Sequence, residues 1–125
     1  MFASFLSVAL GGAIGASLRF GLGLAIIRAW GGGFPVAIIT VNIIGSFLMG
    51  LFVVLSFQRG WDGLNLFVMT GILGGFTTFS AFSLEAYTLF EKGQLGAAVA
   101  YVGISVVGSI LGLVAGVMLA RGVFA

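Results

Sequence analysis

Gly74-Gly75-Phe76-Thr77-Thr78-Phe79-Ser80-Ala81-Phe82-Ser83 sits in the middle of the third long apolar stretch of this chain. Leu, Ile and Val would be the ordinary filling at that place. Instead there are two adjacent glycines, four hydroxyl residues and three phenylalanines, with Glu85 just beyond. Paired glycines weaken a helix, because glycine loses the most backbone freedom on ordering. A loosened backbone at membrane depth is tolerated only where protein covers it or it lines a cavity. The segment therefore predicts a helix broken at Gly74-Gly75 in mid-membrane, and a site rather than a strut.

The surroundings set that depth. The chain has 125 residues, 61% of them hydrophobic and 6% charged, with a mean hydropathy of +1.31. This composition leaves nothing to cover a water-facing surface and excludes a soluble globular domain. Four apolar stretches run over about 2–27, 34–57, 63–90 and 93–120; Arg19 is the one charge in the first, and the third is free of charge as far as Leu84. Each reaches the roughly 20 residues that cross a bilayer core as a helix. The expectation is a single all-α integral membrane domain over 1–125, with four spans and the third broken. No basic residue precedes the first stretch, and it is too long for a signal peptide's apolar region, so it is expected to stay as a span.

Breakers fall between the stretches. Arg28-Ala29-Trp30-Gly31-Gly32-Gly33 closes the first, and Pro35 suits the first turn of the second. Gln58–Asp62 separates the second from the third, with Trp61 at interface level, and Glu91-Lys92-Gly93 separates the third from the fourth. With four crossings both termini share one side. That side carries Arg59 and Arg121, and the other carries Arg28 and Lys92, with Arg19 as a third candidate. An excess of basic residues normally fixes orientation; here there is almost none. The balance predicts insertion in both orientations, and hence an antiparallel homodimer whose two-fold axis lies in the membrane plane. Such a dimer supplies between subunits the inverted symmetry that larger transporters carry within one chain.

The polar residues of the other spans lie at the same depth. Asn42 comes eight residues after Phe34, about 12 Å along a helix, and an amide buried in hydrocarbon needs partners. Tyr101, Ser105, Gly108, Ser109, Gly112 and Gly116 share one face of the fourth span. The glycines there, and Gly11 and Gly15 in the first span, fit small-xxx-small helix packing. Serines in membrane helices also bond to their own backbone, and Phe79 and Phe82 would serve as packing. Arg19 reads as a side chain snorkelling to the nearer interface, where a vestibule attracting anions would lie, and Glu85 as a cap or pairing group.

Asn42, Thr77, Thr78, Ser80, Ser105 and Ser109 offer neutral donors at one depth with no deeply buried charge beside them. A proton-coupled pump places a carboxylate or histidine in its path; there is no histidine, and Glu85 is the one acidic candidate. Neutral donors suit a small anion that sheds water yet leaves quickly, and the positive edges of Phe79 and Phe82 can join them. Carbonyls released near Gly74 and Thr77 can bind a hard cation such as Na⁺, four oxygens coming from two antiparallel copies. The absence of cysteine and histidine excludes disulfides, thiolate metal sites and the commonest proton shuttle. A net charge of +2 does not point to nucleic acid, and no nucleophile–base pair points to an enzyme.

Three motifs resemble the small bacterial fluoride channels called Fluc or CrcB: Gly11–Phe20 with Arg19, Thr40–Gly50 with Asn42, and Gly74–Ser83 followed by Glu85. The resemblance covers essentially the whole chain. It implies an antiparallel homodimer in the bacterial inner (plasma) membrane, with two fluoride pores that let cytoplasmic fluoride leak out passively and a structural Na⁺ at the dimer centre. By position it implies that Phe79, Phe82 and Asn42 line the pore, with Ser105 and Ser109 as the polar track of the fourth span. Thr78, Ser80 and Tyr101 join that set as pore candidates from their depth and face. The same resemblance assigns Arg19 to the vestibule and the Gly74 and Thr77 carbonyls to Na⁺. Ala81 stands where some members carry a hydroxyl. The alternative reading is a small dual-topology, proton-coupled exporter of organic cations. That class shares the size and span number, but it calls for a carboxylate in the first span, where this chain has Arg19.

Overall fold

The computed structural model describes residues 1–31 and 34–124, so Gly32 and Gly33 of the first expected turn, and Ala125, lie outside the described residues. The chain folds into helices α1 (Phe2–Trp30), α2 (Val36–Arg59), α3 (Gly74–Phe76), α4 (Phe79–Glu91) and α5 (Leu95–Phe124). A 3₁₀ turn over Asp62–Leu64 and a π-helix over Leu66–Leu73 lead into α3. Asp62–Glu91 forms the third of four segments long and apolar enough to cross a membrane. The expected spans are therefore present, and α1, α2 and α5 run two to four residues further than their apolar stretches at the C-terminal end. The chain is a multi-pass membrane protein by this pattern of helices.

Glycine decides how these helices meet. α1 packs on the π-helix and α3, while α2 packs on α5. On α1, a Cβ at Gly11 or Gly15 would collide with the Phe67 or Ile72 carbonyl of the π-helix. On the other seam, a Cβ at Gly50 would strike the Leu113 carbonyl and one at Gly116 the Phe47 carbonyl. Gly108 and Gly112 lie against Ile43. Small residues let backbones approach in lipid, where apolar burial gives helices little reason to associate. The packing role expected of these glycines accounts for their place.

The break in the third span is not where the paired glycines suggest. Gly74 is helical (φ −63°, ψ −38°), and the chain leaves the helix at Thr77 (φ −88°, ψ 159°) and Thr78 (φ −150°, ψ 120°). Gly75 is glycine for a different reason: a Cβ there would sit 2.7 Å from the Gly12 carbonyl oxygen and 3.2 Å from the Ala16 nitrogen of α1. The pair serves close approach, and the interruption comes from the threonines. Leu66–Leu73 also departs from a plain α-helix, as a π-helix, which its sequence gave no sign of. π-Helical turns are rare and concentrate at functional sites.

Candidate functional site

Three side chains hold the break open. The Thr78 N–H donates to Asn42 Oδ1 at 2.8 Å, and Asn42 Nδ2 donates to the Thr78 carbonyl at 3.0 Å. Because the peptide N–H can only donate, these two bonds fix which way the amide faces. Asn42 thus replaces the two helical partners that the Thr78 peptide has lost, and one amide N–H remains uncommitted. Thr78 then caps α4, its hydroxyl accepting from the Ala81 N–H at 3.1 Å. Thr77 folds its hydroxyl back onto the Leu73 carbonyl at 3.0 Å. Room for this corner comes from Gly45, where a Cβ would collide with the Thr77 methyl and approach the Phe76 ring to 3.1 Å.

Helix ends leave carbonyls without intrahelical donors, and at the end of α3 these can be followed one by one. Leu73 receives both the Thr77 N–H and its hydroxyl. Gly75 receives Arg19 Nε at 3.1 Å. Among the described residues, no hydrogen bond reaches the Gly74, Phe76 or Thr77 carbonyl. These carbonyls, those of Gly74 and Thr77 among them, are neutral oxygens free of competing donors, the kind of ligand a hard cation takes. Arg19, expected to snorkel away, is half-buried and tied to the break instead.

Beside the break lies a cavity of ≈ 400 Å³. Asn42, Thr77, Thr78, Phe79, Phe82, Ser105 and Ser109 all line it, together with Gly45, Ser46 and Met49 from α2. No charged side chain is among its lining residues. Phe79 and Phe82 stand with ring centroids 5.3 Å apart, Phe79 77% exposed at the cavity's outer side and Phe82 buried. Ser105 is 4% exposed, and its hydroxyl has no hydrogen-bond partner among the described residues. Several hydroxyls elsewhere do otherwise: Thr40, Ser83 and Thr88 each donate to the carbonyl four residues back in their own helix. That is the ordinary fate of a hydroxyl in an apolar helix, so the free Ser105 group stands out.

Two of the expected pore residues lie off this wall. Tyr101 is fully buried behind Phe82, its ring stacked on the Phe82 ring at 5.5 Å and 20°. Its hydroxyl donates to Glu85 Oε2 at 3.1 Å, which gives Glu85 a partner the sequence left open. Glu85 also borders a second cavity of ≈ 240 Å³, shared with Ile26, Trp30 and Phe34 near the start of α2. Ser80 is exposed, with its hydroxyl 3.4 Å from that of Thr78. Tyr101 shares the Ser105 face of α5, one turn away, and meets the cavity only through the Phe82 ring stacked on it.

The description "CrcB-like protein, Camphor Resistance (CrcB)" belongs to the family whose pattern matches residues 6–117 of this chain. The chain belongs to the CrcB family. Among its relatives, a protein of Ruegeria sp. (strain TM1040) named fluoride-specific ion channel FluC is 59% identical over 124 residues, 98% of each chain. One of the same name from Roseobacter denitrificans is 58% identical over 123 residues, 97% of this chain and 98% of its own. Another, from Agrobacterium fabrum, is 48% identical over 119 residues, 94% and 95% of the two chains. In this CrcB chain, Gly45, Ser46 and Met49 are cavity residues that the sequence reading did not single out. Their signal was present: they follow Asn42 by three, four and seven positions, the spacing of one helix face.

Proposed function

We propose that the chain is a subunit of a fluoride-selective channel, through which cytoplasmic fluoride leaves passively and its toxic concentration falls. The observation that carries this reading is the Ser105 hydroxyl, buried and without a partner in a cavity whose lining has no charged side chain. A buried donor left unmade costs about 1–3 kcal/mol, a cost that an acceptor arriving in the cavity removes. Fluoride is the small, strongly hydrogen-bonding anion that gains most from such a donor. Ser109, the spare Asn42 N–H and the ring edges of Phe79 and Phe82 extend the set. A fixed positive charge would hold the ion; several neutral donors in series let it enter and leave. The names of the relatives, fluoride-specific ion channel FluC, agree with this chemistry.

The proposed assembly is an antiparallel homodimer in the bacterial plasma membrane, with one pore lined chiefly by each subunit. Its support is twofold. Basic residues are balanced across the spans, and Phe79, Ser80 and Ser83 are exposed on the flank of a single subunit at mid-membrane depth. A polar flank at that depth is covered by protein rather than lipid. In the same assembly the Gly74 and Thr77 carbonyls would hold a structural Na⁺ at the dimer axis, where it would supply fixed positive charge binding the two breaks together. A coupled exporter fits less well, because Glu85 is engaged by Tyr101 and lies off the larger cavity.

Liposomes loaded with fluoride and containing the purified protein test the reading. Rapid release without an imposed proton gradient is expected. Release only against an opposing proton gradient, or movement of organic cations alone, would sink it.

A further inference from the structure

At the end of α3, Arg19 does more than place a charge near the interface: it bonds to the backbone there. Of the groups released there, Gly75 alone is taken by a side chain of another span: Arg19 Nε at 3.1 Å, across 56 residues of sequence. The geometry behind this contact is tight. α1 passes Gly75 so closely that a Cβ would sit 2.7 Å from the Gly12 carbonyl oxygen and 3.2 Å from the Ala16 nitrogen. Arg19 lies three residues beyond Ala16 on the same helix face. Helical side chains lean toward the N-terminus of their helix, which brings the guanidinium back to the level of Gly75. A cation at the carbonyl end of a helix is also favoured by the helix dipole.

We propose that Arg19 is a positioning residue that occupies the Gly75 carbonyl and so withdraws it from the oxygens at the break, leaving those of Gly74 and Thr77, with Phe76, open to a hard monovalent cation. Adjacent carbonyls at a frayed helix end compete for any ligand, and a side chain anchored in α1 removes one of them from the competition. It also ties α1 to the break, so that the peptide planes on either side of Gly75 keep one orientation. This inference rests on the Na⁺ reading given above.

The test is the thermal stability of the detergent-solubilised protein, titrated with Na⁺ at constant ionic strength against N-methylglucamine. The wild-type protein is expected to be stabilised by Na⁺ with a defined midpoint. Arg19→Gln should move that midpoint upward at least tenfold, while Arg28→Gln, at the end of α1, leaves it in place. Should Arg19→Gln fail to assemble, Arg19→Lys keeps the charge but not the Nε–H, and it should raise the midpoint in the same direction. A midpoint within twofold of wild type in the assembled variant overturns the proposal, including the case in which fluoride flux falls while the midpoint stays, which would make Arg19 a vestibule charge only. A wild-type protein indifferent to Na⁺ would instead overturn the cation reading on which the proposal stands.

Discussion

The α2–α5 seam and the broken third span are built from similar residues and do opposite things with them. Gly50, Gly108, Gly112 and Gly116 on the seam bring two helices together that both run unbroken through it. Around the break, Gly45 and Gly75 also admit close neighbours, but the backbone beside them leaves the helix at Thr77 and Thr78. The difference lies in what satisfies the backbone polar groups. In the seam it is the helix itself; at the break it is Asn42, Arg19 and Thr77, and some carbonyls are left over. Serines divide by partner rather than by region, since the bonded one lies in the broken span and the free one in intact α5. Ser83 bonds to the Phe79 carbonyl of its own helix, whereas Ser105 has no partner and faces a cavity. Small and hydroxyl residues in a membrane helix thus carry no function by type. Function follows where their hydrogen bonds are not already made.

This contrast can be attacked from its strongest side first. Phe82→Ile removes the buried ring that lines the cavity and stacks on Tyr101; fluoride flux should vanish while the dimer still assembles, as checked by efflux and cross-linking. Unchanged flux would take the ring out of the pathway. Asn42→Ala is expected next, since it strips both partners from the Thr78 peptide. Each group left unpaired costs about 1–3 kcal/mol, so both flux and thermal stability should fall, and a stability equal to wild type would show that the brace is not needed. Gly116→Ala drives a methyl into the Phe47 carbonyl. Overpacking of this kind costs about 1–3 kcal/mol, and the loss should be read in melting temperature, with flux per folded channel kept. Ser83→Ala should do least: its hydroxyl is already bonded within α4, and stability should change by about 0.5 kcal/mol or less. A large loss of flux there would erase the distinction between bonded and free hydroxyls.

Much of this was legible in the sequence. Four apolar stretches named the spans, because a bilayer sets helix length, and Asn42, Thr78, Phe82, Ser105 and Ser109 gathered at one depth because depth follows from position along a helix. What the sequence hid were facts that depend on a neighbour. Gly74-Gly75 looks like a weak point until α1 is seen lying against Gly75, and Thr77-Thr78 looks like helix until Asn42 is seen pairing with Thr78. The Tyr101–Glu85 bond joins residues sixteen positions apart in two helices, and no periodicity within one helix reports it. Arg19 was read by charge and distance to the interface, which gives its depth but not the carbonyl it holds.

In the proposed channel a neutral cavity with an unpartnered hydroxyl passes one small anion and refuses a larger one. Parallel release of fluoride and chloride from the same proteoliposomes measures this directly. Fast fluoride release with chloride retained is expected, because the larger, weakly basic ion gains too little from neutral donors to offset its lost hydration. Equal release of the two anions, or retention of both, would contradict it.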